Sequence, residues 1–193
     1  MKAKIAPKPE IVLLYQQEKI KNGDKLPEIL EQMGIRWKAV TQQELCFTTG
    51  ELAEYRRKED GERQELQQIP QTPAMAMGGI AGKRLDQLLN ALNREQIDLP
   101  VKMVITPHNE SWVFGELIEE VRKEHELFLA MERLKRLSMR AQTLENEEAQ
   151  QLVKLAKDAL ARMRGREDKQ PDREELESLA VRQVGCFPMP SSV

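Results

Sequence analysis

The chain is short of cysteine, histidine and aromatic residues, and each shortage removes a class of function. Cys46 and Cys186 are the two cysteines in 193 residues, too few for a disulfide framework or a zinc site of their own, and they suit a reducing compartment. His108 and His125 are the two histidines. His125, in E-H-E-L-F, lacks the second histidine of a metalloprotease helix, so neither a metal site nor a cofactor is expected. Nucleophilic catalysis would require Cys46 to meet His108, with no acidic orienter or oxyanion donor specified. The catalytic residues are therefore unknown, and the balance leans away from an enzyme. No eighteen apolar residues run together, and the basic start M-K-A-K-I-A-P-K-P-E leads into no apolar signal region; the expectation is a cytoplasmic protein without a membrane partner. Aromatics are 4% and the formal charge is -2, which offers nucleic acid little to stack on and no overall attraction.

What is present describes a globular chain: 40% hydrophobic and 32% charged residues, enough for one core and an appendage. After a leader at residues 1–9, I-V-L-L-Y reads as a strand buried on both faces. Ile20, Leu26, Ile29, Leu30 and Met33 keep a helical period that ends at Gly34, and residues 35–41 read as a second strand. A short helix over 49–57 and a loop over 60–73 follow. Ala74 to Met77, ending in Gly78 and Gly79, forms a third strand. Leu85, Leu88, Leu89 and Leu92 mark a helix, and Val101 to Ile105 a fourth strand.

The second half repeats the first. Leu26, Ile29, Leu30 and Met33 fall on Leu85, Leu88, Leu89 and Leu92 at an offset of 59, and V-T-Q-Q-E-L-C-F-T-T-G-E-L-A-E falls without a gap on I-T-P-H-N-E-S-W-V-F-G-E-L-I-E at an offset of 65. Thr41/Thr106, Gly50/Gly115, Glu51/Glu116, Leu52/Leu117 and Glu54/Glu119 are identical, which favours a duplication. From Glu110 an apolar stripe through Val113, Leu117, Val121, His125, Phe128, Met131, Leu134, Leu137, Ser138 and Ala141 predicts a helix of about 50 Å to residue 143. A second helix over 147–164 makes a helical hairpin with it. Asp172 and Glu175 start a short helix over 173–182, and a flexible tail follows.

The expected fold is α/β: a duplicated βαβα core with a four-stranded mainly parallel sheet, plus a C-terminal helical extension. The core takes residues 10–126, in halves 10–58 and 74–126, and the helical hairpin, short helix and tail take 127–193. If all the strands run parallel, their ends open on one edge and gather Gln16, Gln17, Thr41, Gln42, Gly78, Gly79 and residues 106–109. M-G-G-I-A-G-K-R is the nearest approach to a phosphate loop, but Met77 stands where the first glycine belongs and Arg84 where a Ser or Thr belongs; a tight turn explains it better. In T-P-H-N, Thr106 can cap a helix beginning at Pro107, or Asn109 one beginning at Glu110, with Trp112 packed on the sheet edge. The helical hairpin carries nine positive against five negative charges over residues 132–166, including Arg133, Lys135, Arg136 and Arg140. That reads as a solvated face, with nucleic acid disfavoured.

The run V-I-T-P-H-N-E-S-W, with G-G-I-A-G-K-R-L-D-Q-L-L upstream, resembles an uncharacterised bacterial family, the domain-of-unknown-function family numbered 3783. Its members pair a glycine-ended strand and a leucine-rich helix with a T-P-x-N-x-x-W segment. The resemblance covers residues 74–128, and 10–55 more weakly. Carried over by position, it implies roles for Gly79, Leu85, Asp86, Thr106, Pro107, Asn109 and Trp112, with Glu116 and Leu117 on the helix; His108 is at a variable position and Lys83 matches none. It implies fold boundaries and no activity. The expected function is a non-enzymatic binding or interaction module that meets a protein partner or a second copy through its C-terminal helices. The alternative is a small-ligand or anion-binding protein, including an enzyme, with its site at the C-terminal edge of the sheet. Gly78, Gly79, Thr41, Thr106, Pro107, Asn109 and Trp112 are the ligand or partner-binding candidates.

Overall fold

All five residues of β1 (Ile11–Tyr15) are buried because the strand is central in its sheet and covered on both faces. Leu13 and Tyr15 enter one apolar cluster, and Val12 and Leu14 enter another. An unbroken apolar run is what such a strand requires. The computed structural model describes residues 8–56, 63, 65–142, 147–164 and 171–185. Contacts divide the chain into two units, Met1–Arg122 and Lys123–Val193.

In the first unit the strand order is β2-β1-β3-β4. β2 (Arg36–Ala39) runs parallel to β1, and β4 (Val101–Val104) runs parallel to β3 (Ala74–Gly78), so the sheet is mostly parallel. At its centre, however, β1 and β3 are antiparallel, with Leu13 opposite Ala76 and Ile11 opposite Gly78. This corrects the expectation of one shared edge: β1 and β2 end at the edge where β3 and β4 begin. Short βα connections dictate direction within each pair and leave the direction between pairs open.

One face is covered by α1 (Leu26–Gln32) and α3 (Lys83–Arg94), which bury Leu26 and Leu30, and Leu88 and Leu92. These pairs are 62 positions apart, not 59. The helix ends agree with that spacing. Gly34 and Gln96 both have positive φ, 66° and 56°, and the amide of Ile35 donates to Leu30 O as that of Ile97 does to Leu92 O, both at 2.9 Å.

The other face is covered by α2 (Thr49–Leu52) and by the start of α4 (Phe114–Ala141), through Leu52, Phe114, Leu117 and Ile118. α2 stops well short of residue 57: Glu54 has φ 59°, and the amides of Tyr55 and Arg56 both return to Gly50 O. α4 begins at Phe114 rather than at residue 107 or 110. The reason is an isolated antiparallel bridge between Thr48 and Val113. Across it the Phe114 amide donates to Phe47 O and the Thr49 amide to Trp112 O, both at 2.9 Å, which commits Trp112 and Val113 to the bridge and postpones the helix to Phe114.

In the second unit, α4 from Lys123, α5 (Glu147–Arg164) and α6 (Arg173–Gly185) enclose a core of Ala130, Leu134, Ala156, Ala159, Leu176, Leu179 and Ala180. Asp172 Oδ1 accepts from the Glu175 amide at 2.8 Å and caps α6. The stripe expected along α4 is only partly covered. Phe128 is 53% exposed, because Leu127, Ala130, Met131 and Leu134 supply the inward side. Among the described residues no helix is long and apolar enough to cross a membrane. Residues 57–62, which include the expected end of the short helix and start of the loop, and residues 143–146 and 186–193, where the hairpin turn and the tail with Cys186 are expected, lie outside the described residues.

Candidate functional site

The seven residues singled out from sequence do not form one constellation. Thr41 follows β2 at one edge of the sheet; Gly78 ends β3 at the other, where Gly79 and residues 106–112 follow β3 and β4. Thr41 belongs to a capping box in which Glu44 Oε2 accepts from its amide at 3.0 Å and from its hydroxyl at 3.1 Å. Burial raises the Glu44 carboxyl pKa, but bonds from Lys38 and Thr41 outweigh it and hold the group below its usual range.

Thr106 and Asn109 form the matching turn. The Thr106 amide donates to Asn109 Oδ1 at 2.8 Å, the Asn109 amide donates to Thr106 O at 3.2 Å, and Asn109 Nδ2 donates to Val104 O at 3.0 Å. Asn109 therefore closes the turn after β4 and ties it to the strand. Pro107 and His108 are the middle of that turn. Trp112 is 39% exposed, with its ring 5.9 Å from that of His108.

The glycines at the end of β3 are packed against the chain itself. A Cβ on Gly78 would lie 2.3 Å from Tyr55 Oη, and one on Gly79 would lie 2.6 Å from both Lys8 O and Pro9 O. Tyr55 Oη donates to Pro9 O at 2.7 Å. Lys8 also sits over the Tyr55 ring and pairs with Glu110, so residues 8, 9 and 55 cover Gly78 and Gly79 at the end of β3. Cys46 donates to Gln43 O at 3.3 Å, and among the described residues no bond joins it to His108. His125 is exposed on α4. Among the described residues no cluster of His, Cys, Asp or Glu could hold a metal ion.

Glu110 is the electrostatic centre of this edge. The bond from Lys8 holds its carboxyl below the usual range, against the opposing effect of burial and with a further bond from Arg56 at 3.2 Å. A carboxyl depressed by folding stabilises above its unfolded pKa of about 4.3, and that contribution disappears as pH falls through the folded value. Glu110→Gln should therefore cost about 1 kcal/mol at pH 7, the half-exposed cations limiting it. Thermal unfolding followed from neutral to acid pH should show wild type losing that advantage below the unfolded pKa; a constant gap down to strong acid would contradict it.

Two concave features lie away from the seven candidates. A cavity of about 590 Å³ lies between α1 and α3, lined by Ile29, Met33, Arg84, Gln87 and Arg94 among others; its Arg84 is already bound to Glu10. The other, about 280 Å³, lies on α4 and is lined by Arg133, Arg136, Leu137 and Arg140. The signal for the second was present as arginines three and four residues apart, which place them on one helix face.

A four-stranded α/β sheet with helices on both faces, followed by a three-helix unit, is the class this chain falls in. Within it, residues 73–128 match the family model described as Domain of unknown function (DUF3783). This is the stretch from β3 into α4, and the description names no activity. No curated protein and no solved structure matches the chain.

Proposed function

We propose that the protein is a non-enzymatic interaction module of the bacterial cytoplasm, meeting a protein partner or a second copy through its helical unit. One observation carries this reading. On α4, Phe128, Leu129 and Met139 are 53%, 52% and 63% exposed, while the inward side of the same helix is filled by Ala130 and Leu134. Scattered apolar residues are ordinary on a surface; Phe128 and Leu129 are adjacent, and Met139 lies about 16 Å farther along the same side, beyond the Glu132–Lys135 pair, a face long enough for a partner helix to cover. At the strand ends the chain's own residues 8, 9 and 55 cover the glycines, which weighs against a small-ligand site there.

Serine at both Phe128 and Met139 tests the reading in the full chain. The variant should keep wild-type helicity and lose association, seen as lower mass in light scattering or as a partner no longer recovered with it from cells. Equal mass and equal recovery for both proteins would overturn the reading.

The same reading takes the first unit as an internal duplication. Its support is the pairing of equivalent positions. Thr48 and Val113, 65 apart, bridge to each other, and the two bonds flanking that bridge exchange roles under the same offset. Thr41–Glu44 and Thr106–Asn109 close the same turn at that offset. Two copies related by a local two-fold axis through the bridge would produce this pattern.

A further inference from the structure

We propose that the exposed face of α4 takes an acidic amphipathic helix from a partner protein, with carboxylates on Arg133 and Arg136 around Leu137. This rests on the interaction reading above and adds the chemistry of the partner. The cavity of about 280 Å³ is lined by Arg133, Arg136, Arg140 and Leu137, with no acid among the described residues of its wall. Arg133 and Arg136 make no hydrogen bond or ion pair among the described residues. Their neighbours differ: Lys135 pairs with Glu132 at 2.6 Å, and Arg173 pairs with Glu177 at 2.8 Å. Arg133 and Arg136 thus keep their charge available where the adjacent cations have already neutralised theirs.

The spacing fits a helix. At 1.5 Å per residue Arg133, Arg136 and Arg140 rise by about 4.5 and 6 Å, close to the 5.4 Å pitch with which a packed helix repeats its side chains. Arginine forks meet carboxylates in two-point contacts. Phe128, Leu129 and Met139 share an arc of about 140° with the three arginines at 100° per residue. A helix bearing leucines between its acids would cover that apolar area; a nucleic-acid backbone would leave most of it in water, and one phenylalanine makes a poor stacking platform.

The test measures fluorescence anisotropy of the full chain with a labelled synthetic helix carrying leucine at heptad positions a and d and glutamate at e and g. Binding should weaken with salt. Arg133→Gln with Arg136→Gln should weaken it at least about tenfold, while Lys154→Gln with Lys157→Gln, which removes equal charge from α5, should leave it within about twofold. The same helix with lysine for glutamate should not bind. Tighter binding of an oligonucleotide than of the acidic helix, or equal losses in the two double variants, would overturn the proposal, as would no binding of the acidic helix. Recovery of partners from cells separates this from the underlying reading. If the Phe128/Met139 variant loses association and the arginine variant keeps it, the interaction reading stands and the acidic partner falls.

Discussion

Gly79→Ala should destabilise the protein by about 3 kcal/mol in urea unfolding, whereas Gly34→Ala should cost about 1 kcal/mol. Both glycines have positive φ, 68° and 66°, so both substitutions incur the left-handed backbone term of roughly 1–2 kcal/mol. They differ in surroundings. A Cβ at Gly34 meets nothing within 4 Å; at Gly79 it meets the carbonyl oxygens of Lys8 and Pro9 at 2.6 Å. Those are backbone atoms, and moving them strains the start of β1, which adds roughly 1–3 kcal/mol. The difference between the variants isolates the packing of residues 8 and 9 on the turn after β3. Equal losses would mean that this turn is open, and the objection to an anion site there would fail.

Glu51→Gln should cost about 2–3 kcal/mol, and Glu116→Gln less than about 0.5 kcal/mol. The two glutamates are identical positions of the repeated T-x8-G-E-L-x-E pattern, yet Glu51 is 3% exposed and Glu116 is exposed. Glu51 accepts from the Thr48 amide and hydroxyl, both at 2.8 Å, and from two nitrogens of Arg63 at 2.7 and 3.1 Å. Arg63 in turn lies over the Phe47 ring. A neutral amide keeps the shape and removes the charge that Glu51 offers Arg63; Arg63's partial exposure, 21% for its side chain, keeps the cost toward the low end. Denaturant unfolding of both variants reads the contrast, and similar values would show that the Arg63 pairing is not formed in solution.

These two cases also show what could be read from residues. β1 and β3 were legible because apolar runs buried on both faces need no alternation, and the glycines after β3 marked its end. The direction of β1 against β3 was not, since apolar periodicity is the same for either sense. The helix register failed for a related reason. Leu85, Leu88, Leu89 and Leu92 offer two alignments to Leu26 and Leu30, and only burial selects Leu88 and Leu92. Thr106 and Asn109 were recognisable as residues that bond backbone, but the bridge at Thr48 and Val113 is a long-range contact and decides that they close a turn instead of capping α4. On α4 the heptad-like stripe placed Phe128 inward. Leu127, Ala130, Met131 and Leu134 compete for the same side, and they fill it.

The central claim is that the Phe128 and Met139 face of α4 is covered by a protein. Photo-crosslinking in cells tests it directly, with a photoreactive phenylalanine analogue placed at Phe128 and, as control, at Lys157 on α5. The account predicts a discrete higher-mass adduct from position 128 and none from 157. No adduct from position 128, or the same adducts from both, would contradict it.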